Sequence, residues 1–161
     1  MFKKEKKHRL ERSKYIGFVR VSYTICADNK KEIFKNSIIC DGLLKILKET
    51  LDKNNVKNWI YVFMPDHIHL VIEGLNAESD LWKTIKEFKQ KARMRLDKEG
   101  FIEARLQEDY YDHIHREEDD LIEQLVYIAA NPVRAGLVEK WDEYKYVGSL
   151  HEDLNTLLNS I

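Results

Sequence analysis

Glycine, proline and cysteine are scarce, with six, two and two residues in a chain of 161. No internal repeat or low-complexity segment is present, and Pro65 and Pro132 stand out as the chain's punctuation. Cys26 and Cys40 lie far apart and form no CxxC pattern, so a disulfide framework is not expected and a reducing cytoplasm is the expected compartment. No apolar run approaches the roughly 20 residues that a membrane span needs. The basic opening stretch, MFKKEKKHRLERSK, has no apolar segment after it and is not a signal peptide. An excess of one charge is also missing. The net charge is −1, so bulk charge gives no hint of a nucleic-acid partner.

Hydrophobic residues at 43% and charged residues at 34% describe a globular chain, and its length fits one domain with a substantial core. The charge is unevenly distributed. Residues 1–14 hold seven Lys/Arg against two Glu, and residues 83–98 hold seven against two acids. Residues 103–123 hold nine acids against two Arg. Two basic patches balanced by an acidic segment can still make a local footprint for phosphates. The expected organisation is a basic arm at 1–14, a single domain at 15–150 and a tail at 151–161.

Val19, Val21, Tyr23 and Ile25 alternate with Arg20, Ser22 and Thr24, which predicts a strand from Gly17 to Ile25. Ile39, Leu43, Leu47 and Leu51 recur at helical spacing and predict a helix over about 36–53. WIYVFM at 59–64 reads as a buried strand, broken at Pro65-Asp66. HIHLVIE at 67–73 reads as the next strand, closed by Gly74. Leu81 to Lys98 is a second helix, Gln107 to His115 a short fourth strand, and Glu117 to Ala130 a third helix ended by Asn131-Pro132. Trp141, Tyr144 and Tyr146 are expected to dock on the domain, and a loosely held helix follows about Glu152. The first six elements match a split β-α-β plan. The expected class is α+β, a ferredoxin-like antiparallel sheet with helices packed on one face.

Residues two apart on a strand point to the same side, so His67 and His69 project together while Ile68, Leu70 and Ile72 enter the core. Two neutral imidazoles side by side offer two nitrogen lone pairs to a divalent metal. A second pair, His113 and His115, lies in the acidic, aromatic stretch EDYYDHIHREEDD. It is either without a metal role, a rival site, or a partner of the first pair in a four-histidine zinc site. Substituting Ala for His67 or His69 is expected to abolish metal-dependent activity, and His115→Ala to leave much of it.

On the third helix, Leu121, Ile122, Leu125, Ile128 and Ala129 gather on one side and Tyr127 falls on the other. Asn131 stands one turn above Tyr127. A phenol is a weak nucleophile at neutral pH, with a pKa near 10. It can attack a phosphodiester where a metal binds the phosphate and the site favours the phenolate. Asn131 can give such a metal an oxygen ligand, and Mg²⁺ or Mn²⁺ accepts a mixed nitrogen and oxygen set.

These residues resemble a known family. MPDHIHLV at 64–71 resembles the HUH signature of single-tyrosine transposases, in which U is a bulky apolar residue. YIAANPVRAGLV at 127–138 resembles the signature helix and turn of the REP-associated tyrosine transposases, and 111–116 and 143–149 also look like that group. The resemblance runs from about residue 15 to 150. It implies His67 and His69 as metal ligands, Asn131 as a third, and Tyr127 as a nucleophile giving a 5′-phosphotyrosine intermediate. It also implies a single-stranded DNA substrate near a hairpin or palindromic repeat, handled by a monomer or a homodimer.

Arg20, Lys86, Lys89, Arg93 and Arg134 are the candidate phosphate contacts, and the family motif carries a basic residue at the position of Arg134. The alternatives are a non-catalytic nucleic-acid-binding module of the same fold and a four-histidine metal protein without a DNA role.

Overall fold

The computed structural model describes residues 10–117 and 119–159. Most of the expected basic arm, residues 1–9, lies outside them. From Leu10 the chain joins the domain: Tyr15 is buried edge-on against Trp82, and Arg12 pairs with Asp80.

The sheet is built by alternation. On β1 (Arg20–Cys26), Val21, Tyr23 and Ile25 are buried, while the residues between them are half-buried. β1 pairs antiparallel with both β3 (His67–Gly74) and β4 (Tyr111–Ile114). β2 (Val56–Met64) pairs with β3 through the tight turn at Pro65-Asp66, and also with a two-residue β5 (Val147–Gly148). The order is β4-β1-β3-β2-β5.

Two amphipathic helices cover one face. In α1 (Ser37–Lys53) the Asn36 side chain accepts from the backbone N–H groups of Ile38 and Ile39, satisfying two of the donors that a helix start leaves open. Asp80 caps α2 (Leu81–Lys98) by accepting from Lys83 N–H. Ile39, Leu43 and Leu47 of α1 and Ile85, Phe88 and Ala92 of α2 close over Val21, Tyr23, Ile68, Leu70 and Ile72. The first six elements and the α+β class follow the sequence expectation.

The other face carries a second layer in addition. α3 (Leu121–Ala129) and α5 (Leu154–Leu158) pack on Ile60, Val62, Met64 and Val71, with Leu125, Ala129 and Leu154 buried there. β2 is apolar on both sides, so both of its sides need a cover. This second layer sits over β2 and β3. It leaves the β1 and β4 side of that face uncovered, and the candidate site lies at the boundary.

Several boundaries differ from expectation: β1 starts at Arg20 rather than Gly17 and β2 at Val56 rather than Trp59. β4 is shorter, because only Leu106 bridges to Ala27 before Tyr111. α3 begins at Leu121, where Asp120 supplies the cap. A short helix, α4 (Asn131–Arg134), follows α3 after Ala130. The aromatic tail docks as expected: the Tyr144 hydroxyl donates to the Phe63 carbonyl at 2.6 Å, and Phe63 N–H donates to the Tyr146 carbonyl at 2.9 Å.

Gly74, at the end of β3, meets Gly17, whose φ is +97°. A Cβ on Gly74 would stand 1.8 Å from the Gly17 carbonyl oxygen. Both sides of that contact are backbone, so no rotamer change relieves it. Gly74→Ala is expected to cost about 3 kcal/mol of stability, read as a lower urea midpoint with an unchanged slope.

Candidate active site

The turn at Pro65-Asp66 starts β3 with His67, and strand alternation puts His69 beside it. Their Nε2 atoms are 3.1 Å apart. The outer nitrogens are held from behind: His67 Nδ1 lies 2.6 Å from Asp66 Oδ1, and His69 Nδ1 lies 3.2 Å from Thr24 Oγ1. An ionised carboxylate only accepts, so the His67 proton belongs on Nδ1 and its Nε2 carries a lone pair.

His69 is pushed down to a pKa of about 4 by burial first, then by His67 and the positive charge of Arg134. A neutral imidazole is the form that binds a cation. Two nitrogen ligands at roughly 2.2 Å from one ion and at a right angle stand about 3.1 Å apart, so the pair fits a divalent cation. Among the described residues no group of three or more His, Cys, Asp and Glu side chains gathers into a metal site.

α3 and α4 hold the tyrosine beside Asn131 and Arg134. Tyr127 is 65% exposed, on the side of α3 away from Leu125 and Ala129. The guanidinium carbon of Arg134 sits 3.9 Å from the centre of its ring. Arg134 Nη2 also donates to Asn131 Oδ1 at 2.7 Å, and Asn131 Nδ2 donates to the Ile128 carbonyl at 3.0 Å. Arg134 thus touches Tyr127 and Asn131 while its charge is felt at His69. Tyr127, Asn131 and Arg134, all predicted from sequence, are held in one contact group at the end of α3. The Asn131 oxygen faces Arg134 and keeps a second lone pair.

The predicted cations of α2 stand elsewhere. Lys86 and Arg93 are exposed, and Lys89 donates to the Glu108 carbonyl and lies over the Tyr110 ring. α2 packs on the α1 side of the sheet, opposite the histidine pair. The basic residues chosen from sequence therefore divide between two surfaces. Arg20 is on the same face of the sheet as the pair, on the uncovered side.

The second histidine pair is not a copy of the first. His113 is exposed, with Nε2 3.5 Å from Asp119 Oδ2. His115 is buried, and both its ring nitrogens are engaged, with Arg20 Nε at 3.1 Å and Ser22 Oγ at 2.5 Å. The four-histidine site is not assembled among the described residues. Burial first, then Arg20 and His113, push the His115 pKa down to about 4, with Asp119 opposing.

The folded-state pKa of His115 lies below its unfolded value of about 6.5. Its contribution to stability is therefore present above pH 6.5 and is lost as pH falls from 6.5 towards 4. Urea unfolding over that window should show a loss of about 1–3 kcal/mol, and His115→Asn should reduce it.

Sequence reading passed over Asp66 and Thr24. Asp66 directly precedes the first histidine, a visible signal. Thr24 could be found only from the register that sets it opposite His69.

Among the described residues no helix is long and apolar enough to cross a membrane. The family model described as IS200-like transposase matches residues 19–116. A Haemophilus influenzae protein, provisionally named a REP-associated tyrosine transposase, is 27% identical over 117 residues; the match spans 66% of this chain and 66% of that protein, just under two thirds. A solved structure of a REP-associated tyrosine transposase bound to a REP hairpin superposes with a TM-score of 0.72 at 18% identity, over 88% of this chain and 81% of that one. A Deinococcus radiodurans structure, also assigned provisionally as a transposase, gives 0.54 at 17% identity, over 76% and 95%. At those identities the two structures speak for the fold, and the family match covers more than half the chain. The chain belongs to the IS200-like transposase family.

Proposed function

We propose that this protein cuts and rejoins single-stranded, hairpin-containing DNA, with Tyr127 as the nucleophile and a 5′-phosphotyrosine intermediate. The observation that carries this reading is Arg134. Its guanidinium stacks on the Tyr127 ring and donates to Asn131, and its positive charge acts on His69, so a phosphate drawn to Arg134 would be held beside the phenol. Membership of a transposase family supports the same reading.

In the proposed step the Tyr127 oxygen bonds to phosphorus and the bond from phosphorus to the 3′ oxygen breaks. The phenol proton goes to solvent, to which Tyr127 is open, and the departing 3′ oxygen takes up a proton to become a hydroxyl. Attack by a 3′-hydroxyl on the phosphotyrosine reverses the step, and the bond energy is conserved. Arg134 orients the phosphate with its fork of donors and spreads its charge. Asp66 and Thr24 hold the two imidazoles in register. His67 and His69, with Asn131 as an oxygen ligand, would hold Mg²⁺ or Mn²⁺, which supplies Lewis-acid stabilisation of the phosphate.

The test is incubation with a labelled single-stranded hairpin oligonucleotide and Mg²⁺ or Mn²⁺, followed by a denaturing gel. A labelled band at the mass of protein plus DNA is expected. Binding without any adduct would instead identify a non-catalytic DNA-binding module of the same fold.

A further inference from the structure

β4 brings His115 to the uncovered part of the sheet, and the proposed cleavage step makes no use of it. The ring is 9% exposed. Arg20 Nε–H donates to His115 Nδ1 at 3.1 Å. A guanidinium has no acceptor, so this contact makes Nδ1 the accepting nitrogen and puts the ring proton on Nε2. His115 Nε2–H therefore donates to Ser22 Oγ, 2.5 Å away. The polarity of the chain is fixed from Arg20 through His115 to Ser22.

Both ends of that chain then present donors. The Arg20 Nη groups make no further hydrogen bond among the described residues, and the Ser22 hydroxyl, having accepted from His115, has its own proton to give. Each of the two acids beside this array has one oxygen engaged elsewhere. The Glu73 carboxylate, opposite Arg20 on β3, accepts from the Trp59 indole at 2.7 Å. Asp119 accepts from Arg116 N–H and faces His113.

A fixed cation with spare donors suits an anion that only accepts, and a phosphodiester is such a group. Its place fits as well. Ser22 lies two residues before Thr24 on the same face of β1, and Thr24 touches His69. Two strand residues span about 7 Å, comparable to the backbone repeat of an extended nucleic-acid strand.

We propose that Arg20, aligned by His115 and completed by Ser22, forms a phosphodiester-binding subsite on β1. It would take a backbone phosphate neighbouring the one presented to Tyr127, and it rests on the DNA reading above. His115 is a positioning residue, since it acts through Arg20.

The experiment measures affinity for a labelled single-stranded oligonucleotide at several salt concentrations. It uses Tyr127→Phe protein without divalent metal, so that no cleavage intervenes. Arg20→Gln is expected to weaken binding about tenfold and to lower the slope of log affinity against log salt by about 0.7, the value for one single-strand phosphate. His115→Leu is expected to weaken binding, and the double variant to be no weaker than Arg20→Gln alone. His115→Asn, whose amide oxygen can accept from Arg20 Nε, should recover most of the affinity.

An unchanged salt slope in Arg20→Gln, or additive losses in the double variant, overturns the proposal. If His115→Leu does not fold, Arg20→Gln and His115→Asn decide it. A parent protein that fails to bind sinks both this subsite and the DNA reading. A parent that binds, with a wild-type slope in Arg20→Gln, sinks the subsite alone.

Discussion

Tyr127→Phe is expected to abolish the covalent protein–DNA adduct and to lower strand cleavage by a factor on the order of 10⁴ or more, the scale seen when a covalent nucleophile is removed. The substitution deletes one oxygen. The ring keeps its contact with Arg134, because stacking of a guanidinium needs the aromatic face and not the hydroxyl. Tyr127 is 65% exposed, so the change in folding stability should stay within about 0.5 kcal/mol. Oligonucleotide affinity should also change little. A loss of adduct with intact folding and binding isolates the chemical step. An adduct that persists in Tyr127→Phe would remove the nucleophile assignment, and peptide mapping of the labelled adduct would identify the residue that carries it.

The parts of the candidate site differ in how far the sequence discloses them. α2 runs over the predicted Leu81–Lys98, because Asp80 caps it and a single apolar stripe repeats along it. The histidine pair and Tyr127 are legible for a similar reason: local periodicity fixes which way a side chain points. What periodicity cannot supply is the side of the sheet on which a helix lands. Lys86, Lys89 and Arg93 were correctly placed on α2, but α2 covers the face opposite the histidines. The second layer left a trace in WIYVFM, a strand with apolar residues on both faces, where one-sided packing calls for alternation. β5 left none, since two residues are too few for a pattern. The arrangement around His115 depends on Arg20 and Ser22, separated from it by 95 and 93 positions. Only the pairing of β4 with β1 makes that contact readable.

His67→Ala and His69→Ala are each expected to lower metal-dependent cleavage on the order of 10³-fold, the worth of several kcal/mol of charge stabilisation. The reasoning runs from the shared geometry. With Nε2 atoms 3.1 Å apart, neither ring can bind an ion as a pair once the other is gone. Calorimetric titration with Mn²⁺ should show the loss directly, without DNA. The supports behind the rings should matter less. Asp66→Asn keeps an oxygen near His67 Nδ1 but removes the charge, and Thr24→Val removes the contact to His69. Each should weaken metal affinity by about 10–100-fold, the range for groups that orient a ligand. His115→Ala separates the two histidine pairs. It should leave Mn²⁺ affinity unchanged, because its ring nitrogens face Arg20 and Ser22. Equal losses of metal affinity in His115→Ala and His69→Ala would mean that the two pairs act together. The sheet would then have to bring β4 and β3 closer than the intervening β1 allows.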